Sequence, residues 1–247
     1  VSETFHAETA LPYALDQVEE ADHLLVGFPP YRTGVVDPPL GLRAKIGEQK
    51  AHRLFLGADE HTFIGPAQEQ RGLRTAVRLI EEVGDELGVP PSRVICFGTS
   101  MAASLAALTG LAYGAGSIVL GAPPLALGTL LGNWARHERK TGRRPMTSAI
   151  HFVELARRED GPDPVEWLDG LIPSLASECP HPAKVRLFAN PDDWTFPGVN
   201  RFYEQRESFP NVDVEVEWTD APTHDEVAEA FYGDFFPRAL SEELVTA

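Results

Sequence analysis

Arg93-Val94-Ile95-Cys96-Phe97-Gly98-Thr99-Ser100-Met101-Ala102 joins an apolar, strand-like run to a small-residue turn and then to an alanine-rich helical stretch. A serine on a sharp strand-to-helix turn is held clear of the sheet. Small residues two before and two after it, here Gly98 and Ala102, relieve the crowding of such a turn. The hydroxyl then lies at the positive end of a helix, beside backbone N–H groups that can stabilise an oxyanion. The segment therefore points to a serine nucleophile. The competing reading is a serine that only caps the helix behind it.

Outward from this segment, apolar runs suited to buried parallel strands alternate with helical stretches, the pattern of an α/β fold. The candidate strands are residues 23–28, 53–57, 93–97, 117–120, 184–189 and 212–218, enough for one mostly parallel sheet of about six strands. A helix is expected over 72–87, with Leu73, Val77, Ile80, Val83 and Leu87 on one stripe and Gly88 and Pro90-Pro91 as its stop. Ala102, Ala103, Ala106 and Ala107 let the helix after Ser100 lie close against neighbouring strands. Residues 122–183 leave the strand rhythm, carrying Trp134, a basic patch over 136–144 and an amphipathic piece near 152–157. Two readings fit that excursion: a helical cap inserted in a single domain spanning 1–247, or an ordinary surface helical segment.

A serine hydroxyl is a poor nucleophile near neutral pH, so it needs a histidine to take its proton and a carboxylate to orient that histidine. In an open α/β sheet such groups gather where strands end at their carboxyl termini. Asp192 and Asp193 follow the strand over 184–189, and His224 follows the strand over 212–218, in Trp218-Thr219-Asp220-Ala221-Pro222-Thr223-His224. Either reading of these residues has a plain counterpart: Pro-Asp-Asp is good turn chemistry, and His224 sits where a surface helix begins.

The order serine, acid, histidine, with the acid after the penultimate strand and the histidine after the last, resembles the α/β-hydrolase superfamily from about Ala21 onward. Gly98-Thr99-Ser100-Met101-Ala102 matches its elbow with alanine in place of the second glycine. Asn190-Pro191-Asp192-Asp193-Trp194-Thr195-Phe196-Pro197 looks like the superfamily's acid loop, in which the acid stands four residues before a proline, and that register favours Asp193 over Asp192. The resemblance implies a second oxyanion donor, beside the Met101 N–H, in the loop Leu25-Val26-Gly27-Phe28-Pro29-Pro30-Tyr31; prolines have no N–H, which leaves Phe28. The stretch 97–131 is also distantly similar to hydrolase-like proteins of bacterial accessory secretion and capsule biosynthesis. The implied activity is that of a serine hydrolase on an ester or related acyl substrate, or of an acyltransferase working through the same acyl-enzyme.

Around this core of three residues, Trp194 and Phe196 can wall an acyl pocket or pack beneath the acid loop, and Arg32 can meet a substrate carboxylate or stand solvated. His61 can line the site without acting. Cys179 and His181 are too few for a structural zinc site, and neither metal nor cofactor is expected.

Composition narrows the partners. The 247-residue chain is 43% hydrophobic, long enough for one large core, and its 37 acidic against 21 basic side chains leave a formal charge of −16. Such a surface repels phosphate backbones and anionic lipid, so nucleic acid is not an expected partner. Two cysteines make no disulfide framework, which suggests a reducing compartment and a cytoplasmic location; no apolar run approaches the roughly 18 residues of a membrane span. The chain opens on Val1, and its composition is silent on oligomeric state.

Three rival readings give testable contrasts. The elbow also resembles the serine motif of subtilisin-like proteases, but those place acid and histidine before the serine. A dinucleotide-binding unit needs more than the single glycine of Gly98-Thr99-Ser100-Met101-Ala102-Ala103 and an acid ending the next strand, which residues 117–121 lack. A hydrolase-like binding protein without turnover would hold Ser100 and His224 too far apart to interact, or would fill the pocket with side chains from residues 121–183.

Overall fold

Alternation along the strands decides which side chains enter which layer. On the strand over 94–99, Val94 and Cys96 face one core, while Ile95 and Phe97 face the other; Leu24 and Val26 oppose Leu25 in the same way. A sheet buried on both faces follows, with helices on each. A computed structural model describes residues 11–28, 40–57, 70–142 and 163–245 of the chain.

In chain order the elements are β1 (Tyr13–Asp16), β2 (Leu24–Gly27), α1 (Leu40–Ile46), β3 (His52–Leu56), α2 (Arg71–Leu87), β4 (Val94–Thr99), α3 (Met101–Tyr113), β5 (Ser117–Gly121), α4 (Leu127–Thr141), α5 (Pro164–Ser177), β6 (Ala183–Ala189), α6 (Phe196–Glu204), β7 (Val212–Trp218), α7 (His224–Ala230) and α8 (Phe236–Val245). A π-helical turn, Phe231–Phe235, joins the last two helices. The strands form one seven-stranded sheet in the order β1-β3-β2-β4-β5-β6-β7. All neighbours are parallel except β1, which runs antiparallel to β3.

The six expected strands are all present, and β1 is the addition. It is four residues long and its Asp16, only 7% exposed, is held by Arg43 of α1 at 2.7 Å and by Arg53 of β3 at 3.5 Å. The expected helix over 72–87 is α2, ending at Gly88. Its stripe of Leu73, Ile80 and Val83 is buried in the core it shares with α3.

α3 is buried on nearly every side, with each residue from Met101 to Leu111 inside. Small side chains make that possible, since a ring of larger ones would push the helix off the sheet. On the opposite face Phe97, Phe188, Phe231, Phe235 and Phe236 build an aromatic layer, with Phe97 stacked on Phe236 at 4.6 Å between ring centroids. Burying one such side chain contributes about 1.5–3 kcal/mol, so α7 and α8 are fixed beneath the strand that carries Ser100.

Of residues 122–183, the described part forms α4 and α5. Leu127, Leu131, Leu168 and Ile172 belong to the same core as α3, so both helices lie on the sheet's helical layer. They approach closely: a Cβ at Gly128 would stand 2.0 Å from the Val165 carbonyl oxygen. Buried Asp169 of α5 also accepts hydrogen bonds from the Thr129 N–H at 2.8 Å and the Thr129 hydroxyl at 2.6 Å, in the first turn of α4. The expected amphipathic piece near 152–157 lies outside the described residues.

Candidate active site

β4, β6 and β7 are parallel, so their carboxyl ends open on one edge of the sheet, and the segments leaving them carry Ser100, Asp193 and His224. The turn at Ser100 is tight. Its φ of 55° and ψ of −134° lie where a side chain is strained, at a cost of about 1–3 kcal/mol. Neighbouring contacts hold it there: the Ser100 N–H donates to the Gly121 carbonyl at 2.9 Å, and the Ser100 carbonyl accepts from the Ala103 N–H at 2.9 Å. Buried Ser104 of α3 also donates to the Pro124 carbonyl at 2.8 Å, tying the helix to the loop after β5.

Gly98 is what lets α3 fold back so closely. A Cβ there would lie 2.7 Å from the backbone carbon and oxygen of Ala102, and backbone has no rotamer into which to retreat. Gly98→Ala is therefore expected to lower unfolding free energy by about 1–3 kcal/mol, the usual range for overpacking, and to shift the urea midpoint with an unchanged slope.

His224 opens α7. The Thr223 hydroxyl oxygen accepts from the Glu226 N–H at 3.3 Å, and the same hydroxyl donates to the Glu226 carboxylate at 2.8 Å, which sets the helix start and the direction of the histidine. Its Nε2 lies 2.9 Å from the Ser100 Oγ, and its Nδ1 lies 2.9 Å from the Asp193 Oδ2. With an ionised carboxylate on Nδ1, that nitrogen carries the proton and donates, leaving Nε2 to accept from the serine hydroxyl.

The Asp193 side chain is 2% exposed, against 21% for His224. Its other oxygen accepts from the Thr195 N–H and the Thr195 hydroxyl, both at 2.7 Å. Burial alone pushes the Asp193 carboxyl up, but hydrogen bonds from His224 and Thr195 outweigh it and hold the group below the ordinary carboxylate value. Asp192, the other acid considered, is exposed on the turn; its N–H donates to the Asn190 side chain at 2.6 Å.

Trp194 is 47% exposed, with its ring centroid 4.7 Å from that of His224 and 6.3 Å from that of Trp134 on α4. Trp194 thus lays an aromatic ring beside the imidazole and is itself met by Trp134 from α4. Phe196, the first residue of α6, has its ring 5.6 Å from that of Trp218. Trp134 and Asn190 had no place in the expected site: nothing in the local sequence ties α4 to the acid loop, and Asn-Pro reads simply as a turn.

Of the two expected oxyanion donors, Met101 is the first residue of α3, where an N–H has no acceptor within the helix. Phe28, the other, directly follows β2. Its N–H is directed at the Phe97 carbonyl oxygen, 3.4 Å away, because β2 and β4 still run in register there, with Gly27 opposite Phe97. Arg32 and His61 lie outside the described residues. Cys96 offers no rival nucleophile on β4, since burial pushes its thiol up to about 12.

No protein-family model matches the chain, and no curated protein matches it in sequence. Solved structures do share its fold. A mutant capsule O-acetyltransferase of Neisseria meningitidis serogroup A, solved in complex with CoA, aligns with a TM-score of 0.70 at 12% identity over 96% of this chain and 93% of that one. The Gap123 glycosylation-associated complex of Streptococcus agalactiae gives 0.67 at 16% identity, covering 94% of this chain but 44% of that chain, so the fold accounts for under half of its length. Carboxyl esterase 2 of Tuber melanosporum gives 0.59 at 16% identity over 96% and 82% of the two chains. The fold, a seven-stranded mostly parallel sheet flanked by helices, is of the α/β-hydrolase type expected from the sequence. Among the described residues no helix is long and apolar enough to cross a membrane.

Proposed function

We propose that this chain is a serine hydrolase acting on an ester or related acyl substrate, with Ser100 as nucleophile, His224 as general base and acid, and Asp193 as the group that orients the histidine. What carries the reading is the continuous relay of 2.9 Å contacts from Asp193 through His224 to Ser100. A hydrolase-like protein that only binds has no need of such a relay, nor of a strained serine at its start.

In the first half-reaction the Ser100 Oγ forms a bond to the acyl carbon while its proton passes to the His224 Nε2. The Met101 N–H stabilises the oxyanion from the helix start. Phe28 can join it only by giving up its long bond to Phe97, for which a full negative charge is a stronger acceptor. The tetrahedral adduct collapses, the leaving oxygen takes the proton from His224, and an acyl ester remains on Ser100. Water then loses a proton to His224 and attacks that ester, and the proton returns to the Ser100 oxygen as the acid departs. Asp193 stays ionised throughout and balances the charge of the imidazolium.

Acyl transfer to an alcohol is the second reading, favoured by the similarity over nearly full length to a capsule O-acetyltransferase fold. The same acyl-enzyme serves both outcomes, and only the acceptor differs. Although α4 packs in the layer beside α3, it brings Trp134 to Trp194 and would cover that side of the site as the cap reading expects.

Intact-mass labelling with a fluorophosphonate tests the nucleophile. The wild-type chain is expected to gain one phosphonyl adduct and Ser100→Ala none. A folded wild-type chain that gains no adduct, or an alanine variant that gains the same one, would remove Ser100 from the mechanism. An activated acetyl ester offered with and without added alcohols then separates hydrolysis from transfer by the product formed.

A further inference from the structure

Asp193 and His224 stand on two different segments that leave the sheet side by side. β6 and β7 fix how those segments begin, with Ala189 opposite Trp218 and the Thr219 N–H donating to the Ala189 carbonyl at 2.9 Å. Beyond that bond the ladder stops, and three residues still separate Ala189 from Asp193. Asn190 occupies the gap. It is 4% exposed, and both ends of its amide are engaged. Its Nδ2 donates across to the Ala221 carbonyl, and its Oδ1 accepts the Asp192 N–H within its own loop. The same separation, 31 residues, relates Asn190 to Ala221 and Asp193 to His224.

From this we infer that Asn190 is a positioning residue for the proposed site: it bridges the two loops beyond the end of the β6–β7 ladder, whose own pairs are offset by 29 residues, and thereby sets the Asp193–His224 distance. The inference rests on the serine hydrolase reading for its kinetic consequence, but its structural consequence stands apart from it. A buried amide makes this bridge well because it is donor on one side and acceptor on the other, and neither end titrates. Asn190→Asp keeps an acceptor for the Asp192 N–H and puts a carboxylate oxygen against the Ala221 carbonyl, so the bridge between loops becomes a repulsion while the bond within the acid loop stays. Asn190→Ala loses both bonds.

The experiment compares both variants with the wild-type chain in three measurements: steady-state hydrolysis of an activated acetyl ester, thermal melting, and the low-field proton NMR resonance of the His224 Nδ1–H held by Asp193. In Asn190→Asp, kcat is expected to fall about 10- to 100-fold, since misplacement of about 1 Å can cost 100-fold. KM should change less than about 2-fold, and the low-field proton should broaden or disappear while melting stays cooperative. A kcat and a proton resonance both equal to wild type in that variant would overturn the inference. A loss confined to Asn190→Ala would also overturn it, because the effect would then lie in the acid loop's own turn. If the wild-type chain hydrolyses nothing, the activity reading fails, while the proton resonance still reports whether the bridge holds Asp193 to His224.

Discussion

Replacing His224 by alanine is expected to lower kcat toward an activated ester on the order of a million-fold, with KM changed little. The Ser100 hydroxyl has its one base 2.9 Å away, at the His224 Nε2. Without it, the oxygen must attack as a neutral alcohol, or a scarce hydroxide must take the proton. Loss of the histidine from a comparable serine relay costs about that much, and the residue of activity over water comes from oxyanion donors and binding. The imidazole acts through a proton it receives only as the reaction proceeds, so the loss should fall in kcat. Folding should be spared: the Thr223–Glu226 cap that starts α7 does not use the imidazole, and alanine is favoured in a helix. Trp194 offers an internal check, since its ring lies 4.7 Å from that imidazole and its emission should respond to the change. A variant retaining turnover within about tenfold of wild type, with a normal melting curve, would mean that His224 is not the base.

The parts of this architecture legible in the sequence are those set by local pattern. Val94 to Phe97 alternate between two apolar layers, and a buried parallel strand is the simplest way to satisfy both. Gly98 and Ala102 are small for a reason that acts within five residues, the closeness of α3 to the turn. Ser100, Asp193 and His224 could be singled out as candidates because chain order and strand ends limit the choices to very few; they stand as neighbours 2.9 Å apart.

What was hidden depended on contacts distant in sequence. β1 has only four residues, and its place at the sheet edge comes from pairing with β3 and from Arg43 and Arg53 closing on Asp16. Phe28 was a sound inference from the lack of an N–H on Pro29 and Pro30, yet the Phe97 carbonyl that draws its N–H is supplied by a strand nearly seventy residues away. Asn190 reads as a turn residue from its own neighbours, and half of its work is done at Ala221. In the same way, no periodicity in α4 announces that Trp134 will meet Trp194.

Asp193→Asn is expected to lower kcat about 10,000-fold while leaving the three side chains nearly in place. The carboxylate accepts from His224 on one oxygen and twice from Thr195 on the other. An asparagine whose oxygen keeps the two Thr195 bonds must turn its NH2 toward Nδ1. That nitrogen then becomes the acceptor, the ring proton moves to Nε2, and the position that should receive the serine proton is already filled. A tautomer reversed in this way accounts for losses of about that size in serine relays. Stability gives an independent reading of the same group. Its folded pKa lies below the ordinary value of 3.8, so the native state holds its proton less readily than the unfolded chain does. The stabilisation this confers is present in full above pH 3.8 and is lost as pH falls through the lower folded value. Asparagine does not titrate, so the wild type's advantage over Asp193→Asn in urea unfolding should be greatest at neutral pH and should shrink on acidification to about pH 3. An advantage independent of pH, or one that grows on acidification, would mean that the carboxylate is not held ionised by His224 and Thr195, and the orienting role proposed for Asp193 would fall with it.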